Sequence, residues 1–215
     1  MRRSFAAALL VCSLSGCRSP DAVQDAPAVA ASLLRAAPSA VPAPSNALPP
    51  SDGPPPFGGS IYDLTATLTG QDGKPTPLDV FRGHPVIVTM FYGSCPNACP
   101  LLTTDIKRID RLVPPDVRER LRVLMVSFDA PRDTPEKLSQ FARDHGLDPA
   151  RWKLASAAEE HARELAAVLG IRYRKLDNGE YFHSSAIILI DENGKPVARV
   201  EGIGKDPAPI LSALR

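Results

Sequence analysis

Apolar positions beyond about residue 57 fall into short runs of two different periods. Residues 86–91, Val-Ile-Val-Thr-Met-Phe, form a continuous β-branched run, the pattern of a strand buried on both faces. Residues 123–128 repeat that pattern. Between them Leu101, Leu102, Ile106, Ile109 and Leu112 recur near helical spacing, which predicts a helix over 98–112 that Pro114-Pro115 stops. Thr134-Pro135-Glu136 opens a second helix, with Thr as cap and Pro at the first position, running to His145 with Gly146 as terminator. A short strand at 152–154 and a helix over 157–169, ended by Gly170, come next. Residues 185–190, the turn Asp191-Glu192-Asn193-Gly194 and residues 197–200 predict an antiparallel hairpin, and a last helix begins around Asp206. Ahead of all these, alternation over 63–68, the Asp72-Gly73 turn and residues 75–78 predict a hairpin at the N-terminal edge.

The resulting order, βαβα and then α, ββ and α, is that of a thioredoxin-like α/β sandwich with an N-terminal β-hairpin and insertions. It is not a dinucleotide-binding order, since no Gly-rich phosphate loop follows either buried strand. Residues 57–215 have the length of one ordinary domain. Ten of the 23 prolines lie before Phe57, and residues 18–56, rich in Pro, Ala and Ser, carry too little large apolar surface to offset the entropy of ordering. They are expected to be a disordered linker. The formal charge of +1, with both signs interspersed, leaves no basic stripe for a phosphate backbone, which excludes nucleic acid as a partner.

Residues 1–17 read as an export signal: Arg2-Arg3, an apolar run over 5–14 too short to span a bilayer, and then Leu14-Ser15-Gly16-Cys17. That tetrapeptide resembles the lipobox of bacterial lipoproteins, in which the Cys becomes the first mature residue and carries the lipid. The resemblance assigns lipidation to Cys17 and places the domain, lipid-anchored, at the periplasmic face of a bacterial membrane. Cleavage there removes Cys12 and commits Cys17 to lipid, so Cys95 and Cys99 are the remaining thiols.

Cys95 and Cys99 are four apart where the first buried strand gives way to a helix. If the first turn forms there, both sulfurs fall on one face and can reach one ion. Unpaired N–H groups and the helix dipole at that end favour thiolate over thiol. A purely structural disulfide is the plain alternative in an oxidising compartment, but so short a loop constrains the unfolded chain little. His183 joins the pair through the fold, because in thioredoxin-like proteins the residues just before the second hairpin face the cysteine loop. Here that slot is Phe182-His183-Ser184-Ser185. His84, His145 and His161 have no such placement and read as structural or solvated. Two thiolates and an imidazole suit copper as Cu(I) and Cu(II). Zinc competes, but a closed structural zinc site takes four protein ligands and three are found.

Three motifs together resemble the Sco/SenC family of copper chaperones over residues 61–214. They are Phe91-Tyr92-Gly93-Ser94-Cys95-Pro96-Asn97-Ala98-Cys99-Pro100, Val126-Ser127-Phe128-Asp129-Ala130-Pro131-Arg132-Asp133-Thr134-Pro135, and His183-Ser184 before the hairpin. The resemblance implies copper ligation by Cys95, Cys99 and His183, with Asp129 as an acidic neighbour. It also implies delivery of copper to the binuclear centre of cytochrome c oxidase subunit II, or to another exported copper or thiol protein. Family members are often held by a transmembrane helix, where here a lipid at Cys17 is expected. The competing activity is thiol–disulfide exchange, reducing partner cysteines with the redox-active pair Cys95 and Cys99. Redox thioredoxins carry two residues between their cysteines and a facing cis-proline, whereas this chain has three and a histidine. A peroxidase reading lacks its Thr-x-x-Cys motif, because Gly93-Ser94 precede Cys95.

Overall fold

The computed structural model describes residues 59–95 and 98–215. The expected signal, the lipidation site Cys17 and the whole of the linker lie outside the described residues.

The strand β3 (Val86–Phe91) is buried at all six positions, as its unbroken apolar run requires. It pairs in parallel with β4 (Arg122–Ser127) and antiparallel with β8 (Ala186–Ile190). Around them a seven-stranded sheet runs in the order β2-β1-β5-β4-β3-β8-β9. Here β1 is Thr67–Gly70, β2 Pro75–Pro77, β5 Trp152–Ser156 and β9 Pro196–Glu201. The helices α1 (Ala98–Leu112) and α3 (Pro135–Asp144) follow β3 and β4, α4 (Glu159–Val168) follows β5, and α5 (Ala208–Ala213) closes the chain. This is the expected thioredoxin-like arrangement, with β1 and β2 as the N-terminal hairpin.

The register of the two central strands locates the site. Phe91 lies opposite Ser127, and the Phe128 N–H donates to Phe91 O at 3.1 Å, so the residues leaving β3 and β4 emerge side by side. In α/β sheets that carboxyl edge is where ligands bind.

Several elements differ from the sequence pattern. Asp63, the first residue of the predicted hairpin, instead ends a 3-10 turn over 61–63, because Ser60 Oγ accepts the Tyr62 N–H while the Asp63 carboxylate accepts the Ser60 N–H, a reciprocal cap. Pro114-Pro115 ends α1 but also begins a helix the apolar pattern omits, α2 (Pro115–Arg120), since proline is preorganised for a first helical position. Its side chains are largely polar and leave no apolar stripe to read. On α1 the buried face is Leu102, Ile106 and Ile109, while Leu101 and Leu112 are about half exposed, at 52% and 56%. Truncating one of those three buried side chains to Ala costs about 2–5 kcal/mol. Thr134 caps α3 as expected, and Gly146 at φ +58° takes the left-handed position after the helix. A further pair of short strands, β6 (Tyr173–Lys175) and β7 (Tyr181–His183), forms a separate antiparallel sheet. His183 therefore lies in a strand, rather than in a loop leading into β8.

Candidate metal centre

Cys95 sits in the turn after β3, its N–H donating to Tyr92 O at 3.2 Å. Cys99 is the second residue of α1, and His183 ends β7. Cys95 therefore precedes the helix as described, and the two sulfurs converge from a turn and a helix instead of sharing a helical face. One ligand atom from each of Cys95, Cys99 and His183 lies within 4.8 Å of the other two, and among the described residues this is the group able to hold a metal ion. The cysteines are thiols, with no disulfide between them. Cys99 is fully buried, Cys95 nearly so and His183 half-buried.

His183 is prepared as a neutral ligand. Burial pushes its pKa down, favouring the uncharged ring. Its Nδ1 faces the Ser184 carbonyl at 3.3 Å, and a carbonyl can only accept, so the proton belongs on Nδ1 and the Nε2 lone pair is left for an ion. Tyr92 meets the ring edge-on at 5.7 Å between centroids, and Phe128 stands at 5.5 Å. These aromatic walls fix the imidazole.

Cys99 departs from the expected thiolate. Burial pushes its pKa well above the ordinary thiol range, and the neighbouring Cys95 adds to the rise, although the backbone N–H of Tyr92 acts in the other direction. Desolvation outweighs the helix terminus, so without metal Cys99 is a neutral thiol. An incoming ion has to displace its proton.

Asp129 is completely buried, paired with Arg132 and accepting the Tyr181 hydroxyl at 3.2 Å. Its Tyr181 partner lies 5.2 Å from Tyr92 and 4.9 Å from Phe128, the rings that wall the metal group. The acid at the cysteine turn is Asp133, a member of the second motif that spacing alone does not single out. Asp133 accepts from the Gly93 N–H at 2.7 Å and from the Ser127 hydroxyl, and burial raises its pKa in spite of both bonds. The signal was Gly93 itself, since a Cβ there would lie 2.7 Å from Asp133 Oδ1. Of the other histidines, His84 Nδ1 meets Arg120 O at 3.0 Å and His145 packs on Phe141 at 4.2 Å, both away from the metal group. His161 lies on α4.

Comparison with known proteins decides the family. The SCO1/SenC family model matches residues 61–215, the whole folded domain. The chain belongs to the SCO1/SenC family. A SCO1 protein homolog of Bacillus subtilis is 24% identical over 144 residues, spanning 66% of this chain and 74% of the relative. The crystal structure of a SCO1/SenC family lipoprotein of Bacillus anthracis superposes with a TM-score of 0.64 at 24% identity, covering 72% of this chain and 94% of that one. Bradyrhizobium japonicum ScoI, solved with copper bound, gives 0.57 at 22% identity over 69% of this chain and 94% of that one. At these identities the structural likeness is one of fold. The chemistry of the SCO1/SenC centre in this chain rests on its own thiol, thiol and imidazole groups, a donor set that suits copper.

Proposed function

We propose that this protein is a copper metallochaperone that holds the ion on Cys95 Sγ, Cys99 Sγ and His183 Nε2 and delivers it to the binuclear centre of cytochrome c oxidase subunit II. The observation that carries the reading is the convergence of two thiols and a neutral imidazole within 4.8 Å. Soft sulfur suits Cu(I), and the nitrogen helps accommodate Cu(II). Family membership supports the destination, because the Sco family is described as one of cytochrome c oxidase assembly proteins. Three protein ligands leave a position through which a recipient's ligand can enter, which favours transfer over permanent storage.

Thiol–disulfide exchange uses the same two sulfurs. The three residues between Cys95 and Cys99, and a histidine rather than a proline facing them, favour holding an ion over exchange as the principal activity. The lipid anchor at Cys17 and the periplasmic face belong to the same proposal and are supported by the Leu-Ser-Gly-Cys sequence.

The test is anaerobic mixing of the Cu(I)-loaded protein with the copper-free soluble domain of oxidase subunit II, followed by separation and metal analysis. Copper should move to the subunit from wild type. A Cys95→Ser/Cys99→Ser variant should neither load nor transfer. Retention of copper by wild type, with catalytic reduction of the subunit's disulfide, would replace delivery with thiol chemistry.

A further inference from the structure

The small sheet that carries His183 has an open side. Among the described residues β6 pairs only with β7, Arg174 opposite Phe182. The Ser184 N–H donates to Arg172 O and the Leu176 N–H to Glu180 O, both at 2.8 Å, so the backbone groups of 172, 174 and 176 turn toward β7. By antiparallel alternation, the N–H and C=O of Tyr173 and Lys175 point the other way. Neither has a backbone partner there among the described residues. An unpaired edge of this kind is a template for an added strand.

A cleft of about 750 Å³ runs along that edge. The four consecutive residues 172–175 all line it. Successive side chains of a strand point to opposite faces, so four in a row border one cleft only when it follows the strand's edge. α4 and its cap also line the cleft, where the small side chains of Ala158 and Ala167 leave room for a backbone to approach. Phe128 and Tyr181 also line the cleft, and Phe128 stands against the His183 ring, so an occupant lies one aromatic ring from the metal group.

Charge selects the occupant. Arg163, Arg172, Arg174 and Lys175 line the cleft against one acid, Glu159, which pairs with Arg163 on the same helix. Arg174 and Lys175 are exposed and make no ion pair among the described residues. We propose that this cleft takes an extended acidic segment of the protein that exchanges copper with the Cys–Cys–His group, adding it as a third strand on the β6 edge. This rests on the reading of that group as a copper-transfer site. Main-chain bonds to Tyr173 and Lys175 supply the register, and the basic rim supplies selectivity and speeds encounter.

The probe is a terminally blocked octapeptide of alternating Glu and Val, with Ser-Val and Lys-Val versions as controls, titrated into the full reduced protein with and without Cu(I). The Glu-Val peptide should bind saturably, more weakly as salt rises, and should protect the Tyr173 and Lys175 amides from hydrogen exchange. The exposed double variant Arg174→Glu/Lys175→Glu should weaken it by about tenfold or more while still loading one copper per chain. No saturable binding by a wild type that loads copper overturns the cleft assignment and leaves the copper reading intact. Peptide binding with amide protection in a wild type that loads no copper refutes the copper reading and not the strand edge. Equal affinity for all three peptides overturns the acidic segment. Protection of β6 by phosphatidylglycerol vesicles, or by self-association without peptide, overturns the partner in favour of a membrane surface or a second copy.

Discussion

The Gly93 N–H donates to Asp133 Oδ2 at 2.7 Å, which ties the turn carrying Cys95 to the loop that leaves β4. Asp133 also accepts the Ser127 hydroxyl, so one buried carboxylate joins the ends of the two central strands. The cysteine turn is thereby held to the end of β4 as well as by its own strand β3.

Gly93→Ala should destabilise the fold by about 1–3 kcal/mol, since the new Cβ meets a carboxylate already fixed by two bonds. Urea unfolding measures it, and unchanged stability would show that the loop yields freely. The pH dependence has a definite sign. Burial raises the folded-state pKa of Asp133 above the ordinary carboxylate value of 3.8. Its contribution is therefore fully present below that value and is lost as pH rises through the folded pKa. Wild type should accordingly lose ground against Asp133→Asn on going from acid to neutral pH, and the opposite trend would assign the raised pKa wrongly.

Tyr181→Phe removes the hydroxyl that donates to buried Asp129 and keeps the ring between Tyr92 and Phe128. The expected cost is about 0.5–1.5 kcal/mol of stability, with one copper still bound per chain. Loss of copper binding would instead put Asp129 in direct service of the ion.

How far the sequence reveals this molecule depends on whether a feature is local. Val86 to Phe91, buried at every position, and Thr134-Pro135, capping and starting α3, are legible because a strand's burial and a helix cap are decided by adjacent residues. The β6–β7 pair is not, because three-residue strands such as Tyr-Arg-Lys carry no run of apolar residues and exist through their pairing. Leu101 and Leu112 look like core by composition, but the stripe that packs is Leu102, Ile106 and Ile109. At the site, Cys95 and Cys99 are evident from their spacing, and His183 becomes evident once the order of elements gives a fold. The raised pKa of Cys99 is not legible, because its cause, burial by the packed sheet and helix, is a tertiary property that outweighs the local helix terminus.

That neutral thiol predicts a proton balance. Copper loading at neutral pH should release at least one proton per ion, from Cys99, seen as buffer-dependent heats in anaerobic calorimetry. Apparent affinity should then rise with pH by about tenfold per unit for each proton released. Heats independent of buffer would mean that both sulfurs are already thiolates.

The central claim is a copper ion held by two sulfurs and one nitrogen of this chain. X-ray absorption at the copper edge, on the anaerobically loaded full protein, tests it most directly. Wild type should show two sulfur scatterers and one imidazole nitrogen, and His183→Ala should lose the imidazole while keeping both sulfurs. A shell without sulfur in wild type, or an imidazole that persists in His183→Ala, would contradict the assignment of Cys95, Cys99 and His183 as the copper ligands.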